Sequence, residues 1–281
     1  MTTSSHPVVV GIVDKQPSVL GFAVGEARAA HSSLWVVHST GRPPQPGDYY
    51  GGFDLLDELS RTGQAVLDDA RRFVEEEAPE LEVEYVLTSE GPRHALEHAV
   101  PSARLLVVGS DDVPWFDRLM RTDVAGHLAL HAACPVVVVP EQAYPWARDG
   151  DVVVTLDGDT SADGPLQLAF EQADARDAVL HVLHATPPGT IVSDAEEIRA
   201  NLAEVVAGWR DTFPDVVVLT AITTGDPKKA VAHATESAAL VVVGRPHGRV
   251  IPFAVSRPLA TDVLRRAHCP VAVVPPTYRG V

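Results

Sequence analysis

The sequence predicts an α/β protein built from two tandem, doubly wound domains, each with a parallel five-stranded sheet. Three observations carry that expectation. The first is an internal repeat. Leu105-Leu106-Val107-Val108-Gly109 opens one copy of a segment that closes with Cys134-Pro135-Val136-Val137-Val138-Val139-Pro140. Leu240-Val241-Val242-Val243-Gly244 and Cys269-Pro270-Val271-Ala272-Val273-Val274-Pro275 are the second copy, at a constant offset of 135. Self-similarity of this length marks a duplicated unit. The second observation is that short β-branched runs alternate with helical patterns in both halves, as in α/β folds. The third is that several runs are apolar at every position, which suits parallel strands covered on both faces.

In the first half the expected strands are Val8-Val9-Val10-Gly11-Ile12, Leu34 to Val37, Val83 to Leu87, Leu105 to Val108 and Val136 to Val139. In the second they are Val152 to Val154, Val179 to Leu183, Val216 to Leu219, Leu240 to Val243 and Val271 to Val274. Helical patterns lie between them over Leu20 to Ala30, Leu55 to Glu77, Ala95 to Val100 and Val124 to Ala132. His38 and His184 end equivalent second strands at an offset of 146, which falls to 135 by Pro92 and Pro227. The first half therefore carries 11 extra residues, and the Gly- and Pro-rich stretch Gly41 to Gly52 is where a surface loop would hold them. Two domains are expected, residues 1–145 and 146–281, with the boundary between Glu141 and Gly150, where Tyr144 and Trp146 are placed to pack between the halves.

The fifth strands carry no charge to guard an edge, although a fifth strand would end an open sheet. Exposed apolar edges invite pairing. The expectation is an intramolecular pairing of the two domains through those strands; a covering loop or helix is the alternative. A monomer with an internal pseudo-dyad and a homodimer of tandem chains both remain open.

A net charge of −16 repels nucleic-acid phosphates and anionic lipid, so neither is an expected partner. No apolar run approaches the roughly 18 residues of a membrane span, and Met1 to Pro7 lacks the pattern of a secretory signal. Cys134 and Cys269 hold equivalent positions at the start of apolar strands, where a thiol acts as a small hydrophobe. A reduced, cytoplasmic protein is the expected setting.

The order of these features resembles the universal stress protein family in tandem form. The resemblance rests on Val8-Val9-Val10-Gly11-Ile12, the second strand ending in Val37-His38, the loops Ser89-Glu90-Gly91-Pro92 and Thr224-Gly225-Asp226-Pro227, and Val-Val-Gly with Cys-Pro-Val in both copies. It implies strand order 3-2-1-4-5 in each domain and a cytoplasmic, dimer-like regulatory protein. Many members bind ATP and others do not. The binding members follow the fourth strand with Gly, two residues, Gly, nine residues, Gly and then Ser or Thr, which lets backbone N–H groups and a helix N-terminus approach the phosphates.

In the first copy only Gly109 of that pattern survives. Asp111, Asp112 and Asp123 would put negative charge where a triphosphate must sit, at about 4 kcal/mol per pair at 4 Å and moderate dielectric. Thr122 or Asp123 reads as a cap for its own helix. This first site reads as lost for nucleotide. In the second copy Gly244, Arg245, Gly248 and Arg249 are followed by Ser256 and Arg257, again without the closing Gly-Ser. Here the charge has the opposite sign. Arg245, Arg249 and Arg257 could grip an anion with their forked donors while Ser256 caps the helix, or they could be solvated side chains on a degenerate loop. Asp157 stands where binding members place an adenine- or ribose-holding Asp; it could equally cap the following turn.

ATP or another adenine nucleotide in the second domain is thus the one cofactor the resemblance implies, through Asp157, Gly244, Arg245, Gly248, Arg249, Ser256 and Arg257. No catalytic residue is expected. The chain has no phosphate-cradling loop ending in Gly-Lys-Ser/Thr, no Gly-x-Ser-x-Gly elbow and no His-Glu-x-x-His. Slow ATP hydrolysis ranks last, since neither base nor metal ligand is recognisable. No metal site is expected either. His94 with His98, and His127 with His131, have helical i,i+4 spacing, but no carboxylate or cysteine clearly completes either pair. His181 and His184 would point to opposite faces of a strand. Glu75-Glu76-Glu77 reads as a solvated face. The resulting expectation is a non-catalytic regulatory or interaction module of the cytoplasmic stress response, with an adenine-nucleotide switch in the second domain as the alternative.

Overall fold

The computed structural model describes residues 6–41, 52–110, 124–141, 150–156, 163–186, 192–245, 263–264 and 267–280. The chain divides into two compact units, Met1–Trp146 and Ala147–Gly280.

The first unit runs β1 (Val8–Ile12), α1 (Pro17–Ala29), β2 (Leu34–Ser39), α2 (Gly52–Glu77), β3 (Val83–Thr88), α3 (Pro92–Ala99), a 3-10 turn, β4 (Leu105–Gly109), α4 (Val124–His131) and β5 (Val136–Val139). Its strands are ordered β3-β2-β1-β4-β5. Each neighbouring pair is parallel, with Val8 opposite Leu34 on one side of β1 and Leu105 on the other. This is the 3-2-1-4-5 order that the resemblance implies. The second unit runs β6 (Val152–Leu156), α5 (Asp163–Asp174), β7 (Leu180–Thr186), α6 (Val192–Arg210), β8 (Val218–Thr224), α7 (Pro227–Ala234), β9 (Leu240–Gly244) and β10 (Val271–Val274). Its order, β8-β7-β6-β9-β10, is the same topology, again parallel throughout.

The apolar runs fold as strands because helices cover both faces. Val8, Val9, Val10, Leu106 and Val107 are fully buried, as are Val152, Val154, Leu240, Val241 and Val242. Such continuous burial explains why these strands do not alternate. The same turn closes the first helix of each unit. His31 (φ 49) and Asp177 (φ 53) are left-handed. In the first unit Ser32 N–H donates to the Ala27 carbonyl and His31 N–H to Arg28; in the second Ala178 N–H donates to Ala173 and Asp177 N–H to Asp174. These are paired Schellman closures, and His and Asp tolerate the left-handed region better than most residues.

Besides shifts of a few residues at element ends, two details differ from the sequence expectation. β8 starts at Val218 and continues to Thr224, well beyond Leu219. The threonines of this strand are β-branched and hold extended backbone without contributing an apolar run. The extra length of the first half is not all in the Gly41 to Gly52 loop: α2 has 26 residues against 19 in α6. Residues 42–51 lie outside the described residues, as do Tyr144 and Trp146. Among the described residues no helix is long and apolar enough to cross a membrane.

Candidate functional site

In an open, doubly wound sheet, ligands bind beyond the carboxyl ends of the strands where the chain reverses its winding direction. That point falls between β1 and β4 in the first unit and between β6 and β9 in the second. Among the described residues, the glycines that close β4 and β9 at these places have different neighbours.

In the first unit, Gln16 stands in the crevice. It is the residue before α1, and Pro17 follows it at the first helical position. Its side chain does not cap the helix. Instead, its Oε1 accepts the Val13 N–H at 3.0 Å. Its Nε2 lies 2.6 Å from where a Cβ on Gly109 would be, and Val19 Cγ2 lies 3.3 Å from the same point. Gly109 ends β4, so the amide of Gln16 occupies the strand end where a ligand's backbone-facing group would have to approach.

In the second unit the corresponding contact on Gly244 is Pro165 Cγ at 3.4 Å. Pro165 is the counterpart of Val19 at the offset of 146, and that offset carries Gln16 onto Ala162. The second crevice thus keeps the apolar wall and, in sequence, loses the amide side chain. Arg245 is half-buried at the crevice rim, and its N–H donates to the Val274 carbonyl at 2.9 Å. Ser110 makes the matching bond to Val139. Asp157, Gly248, Arg249, Ser256 and Arg257 lie outside the described residues, as do Asp111, Asp112, Thr122 and Asp123. Of the predicted second-domain set, the structure therefore places Gly244 and Arg245.

Beside each crevice the copies agree. His38 and His184 are both buried and end equivalent strands. The Nδ1 of His38 donates to the Ile12 carbonyl at 3.0 Å, and that of His184 to the Leu156 carbonyl at 2.8 Å. A bond repeated in both units at the last residue of the first strand ties that strand end to its neighbour, which is structural work. The segments after the fifth strands also return to the first helices. Ser18 Oγ donates to the Glu141 carbonyl at 2.7 Å. At the matching position in the second unit is Gly164, and a Cβ there would lie 2.3 Å from the Pro275 carbonyl oxygen. Beyond it, Tyr278 donates its hydroxyl to Glu171 Oε2 at 2.9 Å.

Three of the four paired histidines lie beside carboxylates, but no carboxylate joins the two members of either pair. Glu97 lies between His94 Nδ1 (3.3 Å), His127 Nε2 (3.1 Å) and the Arg93 guanidinium (3.6 Å). His98 goes to a different carboxylate, Glu90, at 3.1 Å. His127 and His131 stack at 4.3 Å instead of converging, and His131 Nδ1 turns back to the His127 carbonyl. The contacts of His94 and Arg93 with Glu97 lie within one helix, and only the Glu97–His127 contact joins α3 to α4. Among the described residues no group of three His, Cys, Asp or Glu could hold a metal ion. His181 pairs with Asp151 at 2.7 Å, while His184 is buried, so the two do face apart. Glu75, Glu76 and Glu77 are exposed.

Sequence reading missed Gln16. The signal was available: at the offset of 146 the first copy has a long amide where the second has alanine.

Two units of parallel 3-2-1-4-5 strand order, each with a glycine that closes the fourth strand, define a tandem doubly wound α/β protein. Comparison with known proteins makes this specific. The family model for the universal stress protein family matches residues 5–140 and again 150–275. The chain belongs to that family. Universal stress protein Rv2028c of Mycobacterium tuberculosis is 28% identical over 283 residues, covering 99% of this chain and 100% of that protein. A universal stress protein of Mycolicibacterium smegmatis is 31% identical over 207 residues, 70% of each chain. A universal stress protein from Archaeoglobus fulgidus has the same fold, with a TM-score of 0.73, 20% identity and coverage of 98% of this chain and 97% of that one.

Proposed function

We propose that this chain is a non-catalytic regulatory or interaction module of the cytoplasmic stress response, with degenerate nucleotide sites in two domains, residues 1–145 and 146–281. The observation that supports this best is the side chain of Gln16, which fills the first crevice against Gly109 and is held there by the Val13 N–H. A crevice occupied by the protein's own amide has to be emptied before a ligand can enter. The acidic run Asp111-Asp112 beyond Gly109 adds repulsion toward polyphosphate. The two fifth strands, β5 and β10, are the proposed pairing surface of the domains: each ends its own sheet and neither carries a charge.

A second reading is favoured by one difference between the copies. Ala162 replaces Gln16, and the second loop (245–258) has three arginines and no acidic residue, whereas the first (110–123) has four aspartates and two arginines. On this reading the second domain holds ATP or another adenine nucleotide through Asp157, Gly244, Arg245, Gly248, Arg249, Ser256 and Arg257, and acts as a switch.

One experiment decides between them. The purified chain is denatured and the supernatant assayed for nucleotide; the native chain is then titrated with ATP, with and without Mg²⁺. No released nucleotide and no saturable binding is the result expected for the regulatory module. Saturable binding weakened by Asp157→Ala or Arg249→Ala replaces it with the switch. Turnover of bound ATP would overturn the non-catalytic assignment altogether.

A further inference from the structure

The outer edges of the two sheets are built from the same repeat, yet they are guarded differently. β3 ends the first sheet and β8 the second. At the offset of 135, Glu82 corresponds to Val217 and Glu84 to Leu219. Both glutamates are exposed, and so are both apolar replacements: Val217 is 57% exposed and Leu219 51%. From Val216 to Thr224 the second edge has no charged residue at all. Charged side chains on an edge strand are a standard protection against pairing with another chain. The first copy keeps that protection and the second has lost it at both positions.

The backbone of β8 is ready to pair. Leu180 N–H donates to the Val217 carbonyl at one end of the β7–β8 ladder, and Gly225 N–H donates to the Thr186 carbonyl at the other. In a parallel ladder alternate residues face the neighbour. Val218, Thr220, Ile222 and Thr224 therefore turn their N–H and C=O groups outward, along the side of the strand that no other strand among the described residues occupies.

We infer that β8 is a dimerisation edge whose occupant is the β8 strand of a second copy of this chain, paired antiparallel about a two-fold axis at Thr220. Such pairing sets Val218 opposite Ile222 of the second copy, a β-branched pair of the kind that stabilises a sheet. Thr220 meets its own equivalent in a mutual hydrogen-bonded pair. The flanks are complementary in charge. Arg210, Asp211 and Asp215 precede the strand with a net charge of −1, while Asp226, Lys228 and Lys229 follow it with a net charge of +1. Antiparallel pairing brings each acidic flank beside a basic one. Because the interface is isologous, each β8 edge is used up by its equivalent, and the assembly closes as a dimer at this edge.

The test is the solution mass of the full chain, by sedimentation equilibrium over a range of concentrations. The native chain is expected to reach twice its 30.0 kDa mass. Val217→Glu with Leu219→Glu, which restores the residue type of the first copy, is expected to stay at the single-chain mass with unchanged far-UV circular dichroism. Thr220→Pro removes one outward N–H without adding charge and is expected to do the same, since edge strands tolerate proline. The reverse exchange, Glu82→Val with Glu84→Leu, removes the charges from the β3 edge as well and is expected to produce assemblies larger than a dimer. A native chain that remains at the single-chain mass at every concentration overturns the inference; so does a dimer that persists in both β8 variants, because its interface then lies elsewhere.

Discussion

The amide nitrogen of Gln16 stands 2.6 Å from the position a Cβ on Gly109 would take, while the oxygen of the same amide holds the Val13 N–H. Gly109→Ala is therefore a probe of how firmly the first crevice is filled. The obstructing atom is the far end of a flexible side chain, and Val13 is exposed, so its N–H can turn to water. The expected cost is that of one exposed hydrogen bond, about 1 kcal/mol or less. Chemical denaturation would measure it. A loss of several kcal/mol would mean that Gln16 cannot move and that the crevice is part of the packed core.

Gly164→Ala should behave differently although the residue is also a glycine facing a close neighbour. Here the obstructing atom is the Pro275 backbone carbonyl oxygen, 2.3 Å from the added methyl, with the Pro276 carbonyl at 3.2 Å. Backbone held by Tyr278 and Glu171 further along cannot swing aside like an amide end. Overpacking of this kind costs about 1–3 kcal/mol. Paired denaturation curves of Gly109→Ala and Gly164→Ala should show the second as the larger loss. Equal losses would place the segment after β10 among the yielding parts of the fold.

Asp69 offers a pH test on the first unit. Its hydrogen bond to Lys15, at 2.9 Å, is the main cause that holds its carboxyl below the usual value, with Arg72 adding to the effect. A carboxylate with a depressed folded-state pKa contributes stability above its unfolded pKa and loses it as pH falls through the folded pKa. Lys15→Met should thus raise the Asp69 titration midpoint toward that of a free carboxylate and narrow the acid range over which the pair helps. Carbon-detected NMR titration of the Asp69 carboxyl reads this directly. An unchanged midpoint would assign the shift to Arg72.

The sheet was legible in the sequence because its evidence is redundant: ten apolar runs recur in the same order in both halves, and those of the inner strands are buried from both sides. β1, β4 and β9 are found within a residue of where their valines place them. β8 was misplaced because its later half, Thr220 to Thr224, holds an exposed edge without an apolar signature. The crevice was harder for another reason. Gly109 and Gly244 are visible as members of a pattern, but what fills each crevice comes from a neighbouring loop, and Gln16 has no motif. The Glu97 cluster was hidden in the same way: His94 and Glu97 share α3, whereas His127 comes from α4, so sequence spacing alone cannot pair them.

Cys269 gives the last test, on the strand start that both copies share. The thiol is buried, and burial pushes its pKa up to about 12 from 9.0. The reactive species is the thiolate. At pH 8 the native protein should therefore react with a thiol reagent far more slowly at Cys269 than its unfolded form does, measured in a Cys134→Ala background so that one thiol is followed. The same shift has a sign for stability. A raised folded-state pKa leaves the contribution whole below about pH 9 and removes it as pH climbs toward 12, because only the unfolded chain ionises freely in that window. Cys269→Ala should flatten that alkaline loss while costing a little packing at neutral pH. Rapid native labelling at pH 8 would show instead that the start of β10 opens readily, and the thiol would then be a reporter of local unfolding.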